Sequence, residues 1–416
     1  SCWVKRSVDT AGRMFSVTGS SGDTYFRFNG DATIEWSGDA SNASSAGFFT
    51  TNRRFDDYNA WYHFVIRFDS TQGSASDRVR FYVNGVQEES FASYTDVNQN
   101  AVDKINLSGN TFYIGGTVSS QYFHGLMSHV NYSDGYSYAP TEFGETDSTT
   151  GEWKIKTNPS INYGTNGFFV LKDGATLTDS SANSNNFAVA NGTLTPTEDC
   201  PSNVFATLNP LQTNLTLTNG NTAATTTNYK YAVSTIGINS GKYYFEMKVT
   251  HGCMIIGIQD FNKANERLFG SGTFWFSGSQ SYHLDGFSRF SHDSYGDIAN
   301  DASAYPTYGN GDIIMMAVNL DDNKMAYGKN GTWYNSTNPG SGTTNMVSID
   351  APSTLDSGFY GIVAADTCGA SDGTFYVNFG NGYFGTTAIS SEGSNTLGHG
   401  KFEYDVPSGY TALCTK

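Results

Sequence analysis

Long apolar runs are absent from this sequence, as are the Leu/Ala/Glu/Lys-rich blocks that build helices. The longest unbroken apolar stretch, Ile313 to Val318, has strand length and falls far short of the roughly 18–20 residues of a membrane helix. No membrane insertion is expected. Charge is thin and one-signed: 23 Lys and Arg stand against 39 Asp and Glu, a formal net charge of −16. Without clustered bases, a nucleic-acid partner is excluded. Cysteine is sparse. Cys2, Cys200, Cys253, Cys368 and Cys414 are scattered, odd in number and free of any Cys-x-x-Cys pair. They read as small buried hydrophobes with at most one incidental disulfide, and no zinc site is expected. Proline numbers only 9, whereas Gly reaches 46, Tyr 26 and Phe 29. Aromatics that fill pleated faces, with glycines for the turns, make an all-β composition. At 416 residues the chain has room for two or three domains. The opening Ser1-Cys2-Trp3-Val4-Lys5 already reads as a strand with no initiator Met or signal peptide. A fragment or processed piece of a longer product is therefore expected.

Strand signals come as bursts of alternation. In the stretch 61–69, Tyr62, Phe64, Ile66 and Phe68 are apolar while His63, Arg67 and Asp69 fall between them, so one face is core. Val79, Phe81 and Val83 repeat the pattern and run into Asn84-Gly85, a strong hairpin signal because both positions tolerate positive φ. Periodicity weakens from Ser133 to about Asn203. Ala139 to Phe143 reads as one short helical turn with Pro near its start, and Thr178 to Pro201 as a surface connection or linker, the whole stretch making the first domain's closing edge plus an interdomain strap. Beyond it, Tyr243, Phe245, Met247 and Val249 alternate inward, and Lys324 to Gly331 ends on a second Asn-Gly turn.

Several of these blocks carry a resemblance. Trp61-Tyr62-His63, Tyr82-Val83-Asn84-Gly85, Phe112-Tyr113-Ile114-Gly115-Gly116 and Phe123 to Val130 resemble laminin G-like and pentraxin-like domains of the concanavalin type, over about residues 1–140. The last two blocks look like that family's Ile-Gly-Gly strand pair. The stretches 144–148 and 163–168 add a likeness to lectin-like modules of marine tailed-phage virion proteins. Further on come Gly241-Lys242-Tyr243-Tyr244-Phe245-Glu246, Ile256-Gly257-Ile258, Gly311-Asp312-Ile313-Ile314, Leu320-Asp321 and Tyr327-Gly328-Lys329-Asn330-Gly331. With Val377-Asn378-Phe379-Gly380-Asn381, they are similar, in order, to the motifs of SPRY domains. The two resemblances imply two tandem antiparallel jelly-roll β-sandwiches, residues 1–200 and 201–416. SPRY is a recognition sandwich without chemistry of its own, so the second half is expected to bind or to build.

Catalytic patterns are missing. The eleven Glu form no Glu-x-Asp-x-Glu strand of the kind that places two carboxylates for retaining glycoside hydrolysis, and adjacent Glu88 and Glu89 would face opposite ways. No His-Glu-x-x-His, phosphate loop or nucleophile elbow occurs, and His63 and His129 read as hydrogen-bonded sheet residues. No enzyme activity and no organic cofactor are expected. Calcium is the one ion with candidate ligands: Asp293, Asp297 and Asp301 at spacing four, and Asp56-Asp57.

Glycan sites stack rings on aromatics and complete the fit with polar groups. Tyr282, His283, His292 and Tyr295, with Trp333 and Tyr334 past the second Asn-Gly turn, are the candidate ligand residues, placed by this reading on a loop rim. Most other aromatics are core filler. The function expected is that of a virion fibre or surface protein, extracellular and homo-oligomeric, contacting host-surface glycans or other virion proteins. A structural decoration without ligand and a polysaccharide depolymerase are the alternatives.

Overall fold

The computed structural model describes the chain except residues 20–21, 39–45, 108, 118, 214, 227–229, 263–267, 271–272, 276–280, 287–288, 293–298, 301–304, 306 and 367–372. At a few further positions, His292 among them, only the backbone is described. Strand takes 43% of the described residues and helix 5%, so the fold is all-β with antiparallel sheets. The chain divides into two compact units, residues 1–196 with 200–202, and 197–199 with 203–416.

The first unit carries a five-stranded sheet, ordered Gly125–Ser128, Cys2–Arg6, Tyr62–Phe68, Val79–Val83, Val86–Glu88. It also carries a six-stranded sheet, Thr111–Ile114, Gly12–Gly19, Gly22–Phe28, Thr33–Ser37, Ala46–Arg54, Phe91–Val97. Their inner faces share one core in which Tyr62, Phe64, Phe81 and Val83 of the first sheet meet Phe26, Phe28, Trp36 and Phe49 of the second. Ile66 and Phe68 pack against its edge, so the period-2 pattern reads true along the whole strand. The Ile-Gly-Gly pair does not pair with itself. Thr111–Ile114 lies beside Gly12–Gly19 in one sheet, and Gly125–Ser128 beside Cys2–Arg6 in the other. The second block also ends early, because His129 adopts φ 50 and turns Val130–Tyr132 onto Phe168–Val170.

Ala139 is extended and Pro140–Glu142 forms the expected short 3₁₀ turn, with Pro at its start. The stretch after Thr178 begins packed within the unit. The Asp179 carboxylate accepts from Phe169 N at 2.8 Å and from Ser181 N at 2.8 Å, and the Phe187 ring packs on Phe168 with centroids 4.7 Å apart.

The second unit carries a seven-stranded sheet, Leu208–Thr213, Tyr231–Ser234, Tyr360–Asp366, Met254–Asp260, Tyr282–Asp285, Arg289–His292, Ala299–Asn300. Opposite lies a larger sheet, Thr216–Thr218, Ala223–Thr226, Gly373–Asn378, Lys242–Val249, Ile313–Asn319, Lys324–Lys329, Thr332–Trp333, with Val347–Ser348 also pairing with Lys324–Lys329. Phe245, Met247, Val249, Ile314, Met316 and Val318 face Ile256, Ile258, Leu284 and Ile362 across the core. Tyr327 spans it, its hydroxyl donating to Ile256 O at 3.1 Å. Cys253 is disulfide-bonded to a residue outside those described, while Cys2, Cys200 and Cys414 are free thiols.

Each unit's central hairpin closes on its Asn-Gly turn. Asn84 and Gly85 sit at φ 48 and 81, Asn330 and Gly331 at φ 49 and 85, a backbone that the two-residue I′ hairpin loop requires. A Cβ at Gly85 would lie 2.5 Å from Trp153 Cζ3, and one at Gly331 3.1 Å from Tyr404 Cδ1. Replacing either glycine by Val is expected to cost more than about 1 kcal/mol, Gly85 the more, because strain and ring collision add there. Denaturant unfolding of the two variants checks this; wild-type midpoints for both would show that the turns are not the hairpin closures.

Candidate functional site

The aromatic residues picked for a loop rim are largely interior. Tyr282 and His283 belong to a strand, opposite Ile258 and Gly257 of Met254–Asp260, and are 4% and 5% exposed. The Tyr282 hydroxyl accepts from Asp350 N at 3.0 Å. Tyr282–Asp285 and Arg289–His292 are thus antiparallel sheet strands, with Tyr282 opposite His292. Tyr334 is buried, its ring edge-on to Tyr305 at 6.2 Å. Trp333 is half-buried and meets Tyr244 at 6.2 Å. These rings pack against their own protein, which removes Tyr282, His283 and Tyr334 as stacking platforms. Tyr295, Asp293, Asp297 and Asp301 lie outside the described residues, as does the side chain of His292. Asp56 pairs with Arg54 at 3.5 Å, and Asp57 accepts from Asn59 N at 2.9 Å. No cluster of three potential metal ligands occurs among the described residues.

His63 is buried in its sheet, stacked on Trp3 at 4.8 Å, with Trp153 Nε1 donating to its Nδ1 at 2.9 Å. Burial, aided by the nearby N-terminal amine, pushes its pKa down to about 3, so it is a neutral sheet residue.

The outward face of the strand Lys242–Val249 is where polar side chains gather. Alternation that sends Phe245, Met247 and Val249 inward sends Tyr244, Glu246 and Lys248 outward. For most of its length this face is covered. Phe402, Val406, Tyr410 and Ala412 pack there on Tyr244, Met315 and Ala317. Tyr244 N donates to Thr411 O at 2.9 Å, and Thr411 N to Lys242 O at 3.0 Å. Glu246 anchors the cover. Its Oε1 accepts from Tyr404 N at 2.9 Å and Tyr244 Oη at 2.9 Å, its Oε2 from Glu403 N at 3.0 Å and Asn378 Nδ2 at 3.3 Å. Burial raises its pKa to about 7 against the pull of these four donors.

Past Glu246 the cover stops and a cavity of about 310 Å³ opens, lined by Asn219, Lys248, Tyr376, Phe384, Thr386 and Thr387. Three elements build it. Lys248 and Tyr376 are direct cross-strand partners, so their side chains rise together. The hairpin Tyr383–Phe384 with Thr387–Ala388 folds over them, setting the Phe384 ring 5.9 Å from Lys248 Nζ. The turn at Asn219 closes the third side. Gly385, at φ 64, permits the approach, since a Cβ there would lie 2.8 Å from Tyr376 Cε1 and 3.2 Å from Asn219 Nδ2. The cavity therefore has aromatic walls, one cation, an amide and hydroxyls. Sequence reasoning missed all six residues. Their signal was weak: an outward Lys in one strand and an outward Tyr in another mean nothing until the register is known.

Residues 1–140 match a family described as Concanavalin A-like lectin/glucanases superfamily. No curated protein matches the chain. Among solved structures, the SPRY domain of human HERC1 is similar at 12% identity and a TM-score of 0.31, over 41% of this chain and 96% of that one. The TRIM65 PSpry domain is similar at 9% identity and a TM-score of 0.27, over 42% of this chain and 91% of that one.

Because the Glu246 pKa rises on folding, from 4.5 to about 7, its acid form is the one the fold favours. Its contribution to stability is full below pH 4.5 and is lost as pH climbs through 7, a fall of roughly 3 kcal/mol. Glu246→Gln is expected to flatten that part of the pH–stability curve of the second unit. Parallel curves for variant and wild type between pH 4.5 and 8 would refute it.

Proposed function

We propose that this is a non-enzymatic recognition protein of a virion or other extracellular surface, a fibre or appendage component, that holds glycan in the cavity of its second unit. The observation that carries the reading is the lining itself. Tyr376, half-buried, offers ring surface, the buried Phe384 ring forms the wall behind it, and Asn219, Thr386 and Thr387 surround the space with donors and acceptors. None of these side chains has a hydrogen-bond partner among the described residues, so they are available to a hydroxyl-rich ligand. About 310 Å³ lies at the small end of ligand sites and suits a sugar residue rather than a buried chain. The match of residues 1–140 to a lectin-containing superfamily supports a recognition role for the first unit. Depolymerase action is disfavoured because no Asp, Glu or His is among the described lining residues, and hydrolysis needs an acid–base pair. On this reading the partners are host-surface glycans, and like subunits place several such weak sites on one surface.

Tyr376→Ala is expected to keep the fold and to weaken glycan binding by about 1–3 kcal/mol, the scale of losing one stacked ring. Glycan-array binding of the full chain followed by titration calorimetry on the strongest glycan measures it. A folded variant that binds like wild type moves the site elsewhere. A wild-type chain that binds no glycan leaves the structural-decoration alternative.

A further inference from the structure

The cavity contains a positive charge with no carboxylate of the described residues set against it. The chain as a whole is acidic, at −16, and two lysines of the second unit are ion-paired: Lys401 with Glu198 at 2.8 Å and Lys329 with Asp312 at 3.9 Å. Lys248 has neither an ion pair nor a hydrogen bond among the described residues. Its ammonium is not loose in solvent either. The stem rises from a central strand beside Tyr376, and the head lies over the Phe384 ring at 5.9 Å. A cation held against an aromatic wall loses part of its hydration and gains more from an arriving anion than a lysine on an open surface does. Hydroxyls of Thr386 and Thr387 and the amide of Asn219 share the same space.

From this arrangement we infer that the cavity selects an acidic sugar, a hexuronate whose carboxylate pairs with Lys248 while its ring hydroxyls meet Asn219, Thr386 and Thr387. The inference rests on the glycan reading of the cavity and adds the ligand's chemical class. Lysine fits the role as a compact point charge with three donors, which asks for a negative group but not for one bidentate geometry. Lys248→Arg should therefore keep the preference, whereas Lys248→Met keeps the stem and its packing while removing the charge.

The test is calorimetric titration of the full chain with a panel of uronate oligosaccharides, galacturonate, glucuronate and mannuronate trimers. Each is set against its own methyl ester, and a sulfated neutral trimer serves as a further arm. The expected result is that at least one acid binds about tenfold or more tighter than its ester at low salt, the scale of one charge-assisted hydrogen bond, and that the gap narrows as salt rises. Lys248→Met should bind acid and ester alike, with an unchanged melting temperature; Lys248→Arg should restore the gap. If no acid outbinds its ester while neutral glycans still bind, the acidic class is wrong and the glycan reading stands. If the sulfated arm alone is favoured, the carboxylate assignment is overturned. If the gap survives in Lys248→Met, Lys248 is not the reader. If no sugar of any kind binds, the glycan reading and the inference fall together.

Discussion

A single carboxylate on the outward face of a sheet organises the second unit. Glu246 is fully buried yet sits on the side of Lys242–Val249 that alternation directs away from the core. Its four donors come from three different places: the neighbouring position Tyr244, the adjacent strand's Asn378, and the backbone of Glu403 and Tyr404. Removing the carboxylate would leave those two half-buried backbone donors without their acceptor, a cost of at most about 1–3 kcal/mol each. The consequences run outward. The Asn378 amide also donates to Lys401 O at 3.0 Å, and its oxygen accepts from Gly380 N and Gly382 N at 2.9 and 3.2 Å. That closes the turn from which the hairpin Tyr383–Phe384 and Thr387–Ala388 leaves, and this hairpin is one wall of the cavity. Covering one half of the sheet face and opening the other are therefore one arrangement, fixed two residues apart at Glu246 and Lys248.

The inward faces were legible because alternation is a local property. Tyr62, Phe64 and Phe81, and likewise Phe245, Met247 and Val249, lie in the two cores where a period of two places them. The Asn-Gly turns were legible for the same reason: two adjacent residues with positive φ fix a hairpin without help from the rest of the fold. What covers an outward face is not local. Met315 and Ala317 carried a hint, since a strand apolar at every position from Ile313 to Val318 is a strand buried on both sides. The hint did not identify the cover, which comes from roughly ninety residues further along. Sheet membership was equally out of reach. Thr111–Ile114 and Gly125–Ser128 look like neighbours in sequence, and a connection of ten residues sends them to opposite sheets.

Tyr282, His283 and Tyr334 are interior for a related reason. Polar-tipped aromatics in a glycine- and serine-rich region look like a binding loop, but Tyr282 is as good a strand residue as a loop residue, and the chain uses it as strand. The cavity residues are spread over positions 219, 248, 376 and 384–387, and none is unusual where it stands. Only register brings Lys248 opposite Tyr376, and only a tight turn at Gly385 lets the third wall approach. A site assembled across strands carries no contiguous motif.

The two units solve one problem alike. In each, the Asn of the hairpin turn accepts from the backbone N–H of the strand it faces: Asn84 from His63 at 2.8 Å, Asn330 from Ile313 at 2.9 Å. In each, an aromatic side chain from the chain that follows lies against the adjacent Gly, Trp153 on Gly85 and Tyr404 on Gly331. In each, that later chain also covers outward-facing apolar residues: Phe143, with Tyr138 and Ile161, on Val65 and Tyr82; Phe402, Val406 and Tyr410 on Tyr244 and Met315. A hairpin whose outer side carries apolar residues must be covered, and a glycine at the turn is what lets a flat ring begin the cover. The shared turn pattern is therefore a requirement of covering a hairpin on its outer side, and it says nothing about ligand. What separates the second unit from that common scheme is where its cover ends, because an uncovered strand end beside a folded-over hairpin is the place where a lysine can stay unpaired.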